Sequence, residues 1–88
     1  MNVPWRKLHD GYLAEVGDLS FCIFPTGART CHWLVKVRLE LKGDEPKWQS
    51  QVTLEAYDDC SSVKRAKFAA EQAGGYIQAA YDGMKGVK

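Results

Sequence analysis

Cys31 and His32 stand side by side, a thiol that could attack a carbon or sulfur centre and an imidazole that could take its proton. That chemistry needs the two side chains in contact. If both lie in a strand, neighbouring side chains project to opposite faces and the pair is defeated. Asp58-Asp59 could in principle hold a divalent cation, but an acidic pair just before a helix more often caps it and complements its dipole. His9, His32, Cys22, Cys31 and Cys60 show none of the close Cys or His pairs typical of zinc sites. Gly74-Gly75 lies inside a helical pattern, away from the strand-to-helix context of a phosphate cradle. The expectation is a protein without catalytic residues, bound metal or cofactor, and not an enzyme.

The composition is that of an ordinary globular protein. The chain has 88 residues, which fits one domain, 1–88, whose core comes mostly from one sheet and one helix. Hydrophobic residues make up 45% and charged residues 26%, and no apolar run approaches the length of a bilayer span. No secretory signal is legible in MNVPWRKLHDGY, so a soluble, cytoplasmic protein is expected. Twelve Lys and Arg against eleven Asp and Glu give a formal net charge of +1, a weak field for attracting phosphate backbones. Three widely spaced cysteines argue against a closed disulfide framework and favour reduced, mostly buried thiols.

Hydropathy alternation supplies the elements that would position any site. YLAEVG, residues 12–17, turns at Gly17-Asp18 into LSFCIFP, and the two read as a hairpin ending at Pro25. HWLVKVRLELKG, residues 32–43, places Trp33, Val35, Val37, Leu39 and Leu41 on one face, with Leu34, Lys36, Arg38 and Glu40 on the other. The turn GDEP, residues 43–46, leads into KWQSQVTLEAY, with Trp48, Ser50, Val52, Leu54 and Ala56 inward. A helix then follows, signalled by Asp58, Asp59 and Ser61. Its apolar stripe is Val63, Ala66, Ala69, Ala70, Ala73, Ile77, Ala80, Tyr81 and Met84. The fold class is therefore α+β, a four-stranded antiparallel meander with one C-terminal helix on one face, possibly broken at Gly74-Gly75.

Two surfaces remain for a partner. Phe68 falls nearly opposite the apolar stripe beside Lys64 and Arg65, an aromatic flanked by cations on the solvent side with Glu71 and Gln72. One helix covers one sheet face, so the face with Arg38 and Tyr57 should stay open, together with Leu13 and either Cys22 or Phe24. Lys64, Arg65, Phe68, Arg38 and Tyr57 are the expected contacts for a protein partner, and the open face also suits a homodimer. His32, Lys36, Arg38 and Tyr57 could alternatively form a platform for single-stranded nucleic acid, a reading weakened by Glu15, Glu40 and Glu55 on the same face.

Trp5-Arg6-Lys7, GYLAEVG at residues 11–17, the strand centred on Trp33-Leu34-Val35, and the run from Ser62 through Ala66-Lys67 to Ala70-Glu71 span most of the chain. In these features the sequence resembles small phage and prophage accessory proteins, an antiparallel sheet followed by an Ala/Lys-rich helix. The resemblance implies a protein that works by occupying the surface of another macromolecule, host-defence inhibitors such as anti-CRISPR proteins being one such class.

Overall fold

The structure, a computed structural model, describes residues 2–42 and 49–85. The turn expected at residues 43–46 and the inward placement of Trp48 lie outside those residues, and the side chains of Leu41 and Ser50 are not described either. The strands are β1 (Arg6–Leu8), β2 (Gly11–Val16), β3 (Leu19–Pro25), β4 (Cys31–Lys42) and β5 (Gln49–Cys60), followed by the helix α1 (Val63–Lys85). They form one antiparallel sheet in the order β1-β2-β3-β4-β5. The meander thus has five strands rather than four. The extra one, β1, is three exposed residues whose charged RKL sequence carries no alternation to betray it. It is held by its register on β2, Arg6 opposite Leu13 and Lys7 opposite Tyr12. The hairpin between them depends on Gly11, whose φ is 154° and where a Cβ would collide with the carbonyl of Ile23.

Alternation decides which face becomes the core. Leu19, Phe21 and Ile23 of β3 and Cys31, Trp33, Val35, Val37 and Leu39 of β4 are buried on one face, with Val52, Leu54 and Ala56 of β5 half-buried beside them. The helix closes this face with Ala66, Ala70, Gly74, Ile77 and Tyr81, all buried. Small residues in its first half let it approach the strands closely, whereas Ile77 and Tyr81 fill more space in the second. Ala80, expected on the stripe, is exposed. The helix runs unbroken for 23 residues through Gly74-Gly75, because packing of Ile77 and Tyr81 offsets the poor propensity of the glycines.

The start of the helix also differs from expectation. Asp58 and Asp59 belong to β5, which continues its alternation to Cys60. The cap is Ser62, whose Oγ accepts from the Arg65 amide at 3.2 Å while its carbonyl accepts from the Ala66 amide at 2.9 Å. Glu71, expected in solvent, is half-buried and accepts a hydrogen bond from Trp5 Nε1 at 3.1 Å. Trp5 meets Phe21 edge to face, with ring centroids 5.8 Å apart, and so closes the core on the β1 side. Farther along, Tyr81 donates its hydroxyl to Asp18 Oδ2 at 2.9 Å, tying the helix to the turn between β2 and β3.

Beyond Lys36, where pairing with β3 ends, β4 and β5 continue alone as a two-stranded ribbon. The molecule is correspondingly long, 51 × 22 × 19 Å. Its radius of gyration is 15.0 Å, against about 12 Å for a compact chain of this length.

Candidate functional site

The sheet face opposite the helix has two chemically distinct halves. Strand register lines up Leu13 with Cys22, Cys22 with Leu34 and Leu34 with Tyr57, and Phe24 with His32 and His32 with Asp59. Leu13, Cys22 and Leu34 are half-buried by one another, whereas Phe24 and Tyr57 stand out at 39% and 61% exposure. Farther along the same strands, Glu15 lies opposite Ser20, Lys36 opposite Glu55 and Arg38 opposite Thr53. This second half is charged, and Ser20, Lys36, Arg38, Thr53 and Glu55 line a shallow depression together with Asp18.

His32 is the hinge of the apolar half. Its ring lies 5.1 Å from that of Phe24 and 5.9 Å from that of Tyr57, and its Nδ1 is 2.9 Å from Asp59 Oδ1. An ionised carboxylate only accepts, so in a contact with the carboxylate Nδ1–H is the donor. Cys31, adjacent in sequence, is buried on the opposite face, as strand geometry requires. Cys22 shares the open face with His32 and Asp59, which puts a thiol, an imidazole and a carboxylate on one surface. They do not form a nucleophilic triad here: no hydrogen bond joins the Cys22 sulfur to His32 among the described residues. Burial pushes the Cys22 thiol up, against the opposing pull of the Lys36 charge.

The second candidate surface lies at the start of the helix. Lys64, Arg65 and Phe68, with Cys60, Ser62 and Ala69, line an open groove where β5 passes into α1. Phe68 is 66% exposed, so the ring stands clear of the core as the helical phase requires. Lys64 and Arg65 occupy a first turn that contains no acid, where cations oppose the helix dipole and cost about 0.3–1 kcal/mol each when exposed. Lys67 belongs elsewhere: its Nζ sits 4.2 Å from the centroid of the Tyr12 ring and helps pin the helix to β2.

The expected partner residues therefore separate into different places. Lys64, Arg65 and Phe68 share the helical groove, whereas Tyr57 and Arg38 lie on the other side of the sheet. Arg38 and Tyr57 are themselves apart, since their strand partners Thr53 and Leu34 are four residues away along each strand, about 13 Å. Of the nucleic-acid set, His32 and Tyr57 are neighbours in the apolar half, and Lys36 and Arg38 are in the charged half. The described outer face carries Arg6, Lys36 and Arg38 against Glu15, Glu40, Glu55 and Asp59, so the platform has no cationic excess.

The sequence reading offers either Cys22 or Phe24 for the open face and leaves Asp59 out of it. Phe24 and Cys22 have the same strand parity and both face outward, so the choice between them was unnecessary. Asp59 resembles a helix cap in the sequence, whereas the alternation of β5 carried two residues further places it on the open face. Tyr76, 77% exposed on the helix, carried no signal beyond its position on the wheel. Among the described residues no group of three His, Cys, Asp or Glu converges to hold a metal, and no helix is long and apolar enough to cross a membrane. Comparison with protein-family models, with curated proteins and with solved structures finds no match to this chain.

Proposed function

We propose that this chain is a non-catalytic binding module that covers the surface of a protein partner with the apolar half of its open sheet face. The observation that carries this reading is the exposed group Phe24, His32 and Tyr57, set on the half-buried floor of Leu13, Cys22 and Leu34. An aromatic centre with charged neighbours at its margin, here Lys36, Glu55 and Asp59, is the composition of a contact whose energy is concentrated in a few side chains. The sheet holds those rings in place before binding, so little ordering entropy is spent on association. Action by occlusion suits a phage-type accessory protein, and an inhibitor of a host-defence complex, such as an anti-CRISPR protein, is one form it would take. The sequence resemblance alone supports that target class.

The test has two stages. Tagged protein captures its partner from nuclease-treated host lysate, and the affinity of the purified partner is then measured for Tyr57→Ala, Phe24→Ala and Phe68→Ala. Weakening of tenfold or more by Tyr57→Ala and Phe24→Ala, roughly 1.4 kcal/mol or above, supports the open face. Loss confined to Phe68→Ala moves the contact to the helical groove. Capture abolished by nuclease, with an affinity that falls steeply with salt, replaces the reading with single-strand binding through His32, Lys36, Arg38 and Tyr57.

A second reading rests on a different observation. β5 is an edge strand of 12 residues whose outer backbone groups face no neighbour in the sheet. Such an edge is a template for a second copy of the chain. Sedimentation analysis distinguishes this homodimer from a monomer that meets a different protein.

A further inference from the structure

Cys31 and Cys60 are 29 positions apart in the chain, but they are direct partners in the β4–β5 ladder. Cys31 opens β4 and Cys60 closes β5, so they meet at the base of the long hairpin, on the covered face and next to the start of the helix. Both are free thiols in this structure. We propose that Cys31 and Cys60 form a disulfide-exchange site, oxidised to a cross-strand disulfide by a low-molecular-weight disulfide of the glutathione type.

The ladder itself supplies the fit. Directly opposed residues of an antiparallel pair have Cα atoms about 4.5–5.5 Å apart and side chains on the same face. A disulfide accepts Cα separations of about 4.4–6.8 Å. Thus the strand pairing sets the two Cα atoms at a separation that a disulfide spans. Accessibility orders the reaction. Cys31 is 6% exposed, whereas half-buried Cys60 lines the open groove with Lys64, Arg65 and Phe68. Those two cations attract the carboxylates of an oxidised glutathione molecule, and the Cys60 thiolate attacks one of its sulfurs. This releases one glutathione thiolate, which takes up the proton that Cys60 gave up. The Cys31 thiolate then attacks the Cys60 sulfur, forming the protein disulfide and expelling the second glutathione as a thiol. The two cysteines lose two electrons in all, and these reduce glutathione disulfide to two thiols.

Cys22 provides the internal control. It lies on the opposite sheet face, where its strand partners are Leu13 and Leu34 rather than a second cysteine. The site is also independent of the binding reading, because the disulfide lies behind the sheet from Phe24 and Tyr57.

The experiment equilibrates the purified full chain with mixtures of oxidised and reduced glutathione, traps it with an alkylating agent, and reads intact mass and cross-linked peptides. The expected product is a monomer that has lost two hydrogens, carries one alkyl group on Cys22 and yields a Cys31–Cys60 peptide. Its melting temperature should be about 15 °C or more above that of the reduced chain. Cys22→Ser should leave the reaction intact, and Cys60→Ser should abolish it. Three alkylated thiols at every ratio of the two glutathiones overturn the proposal. So does a stable glutathione adduct on Cys60 that Cys31 never displaces, or a disulfide between two chains. Should Cys60→Ser fail to fold, the mass and peptide map of the unaltered chain still decide the matter.

Discussion

Phe21 and Phe24 stand three residues apart on β3 and face opposite ways. The first is fully buried under the helix and touches Trp5, and the second is 39% exposed beside His32. The same side chain on the same strand thus serves two purposes, and only its parity decides which. On the covered face each apolar group is needed to bury the next, so its removal is felt by the whole fold. The open face contributes little to that closure, and its aromatic groups are free to differ in what they meet.

The largest test of this contrast is Phe21→Ala, expected to cost about 3–5 kcal/mol because the helix and Trp5 cannot collapse fully into the space left. Urea titration followed by circular dichroism measures it. A loss under about 1 kcal/mol would show that the covered face is not the core. A smaller effect follows from Tyr81→Phe, which removes the bond to Asp18 and should lower the melting temperature by a few degrees at neutral pH. The hydrogen bond to Asp18, then burial, then the charges of Asp18 and Asp82 raise the Tyr81 phenol above its ordinary value of 10.0. The stability it contributes is therefore complete below about pH 10 and is lost as the pH climbs through the raised value. The gap between the two proteins should close in strong alkali, and a gap that widens would contradict the bond.

Gly75→Ala sharpens the contrast from the solvent side of the helix. A Cβ at Gly75 meets nothing within 4 Å, so the variant should gain about 0.5–1 kcal/mol from helix propensity alone. Destabilisation there would mean the glycine pair serves as a bend. The smallest expected change is Phe24→Ala, within about 0.5 kcal/mol of the unaltered chain by thermal melting. If it matches Phe21→Ala, the distinction between the faces fails.

Legibility in the sequence followed the length of each repeat. The twelve-residue strands alternate long enough to declare both faces, and the inward Trp33, Val35, Val37 and Leu39 are legible from that alternation. The helical phase placed Phe68, Lys64 and Arg65 outside correctly. β1 was hidden because three residues cannot show a period. The Asp58-Asp59 pair misled because acids before a helix usually cap it, and here the strand simply runs farther. Contacts across 66 and 63 positions, Trp5 with Glu71 and Tyr81 with Asp18, leave no local trace, since neither partner needs a special neighbour in sequence. The candidate surface was half legible for the same reason: parity gave the face, but the register that gathers Phe24, His32 and Tyr57 depends on how the strands align.

The two edges of the sheet have unequal capacity. β1 offers three residues, among them Arg6 and Lys7, and β5 offers 12. A strand that adds to β5 finds a full row of donors and acceptors, and a strand that tries β1 finds a short, cationic stub. Strand addition, as a self-association route, would therefore favour the β5 side. Two copies joined through β5 by a twofold axis would each present the stub outward, and the assembly would stop at two. Such a pairing, if formed, would bury both long edges and leave only the short ones to template further strands.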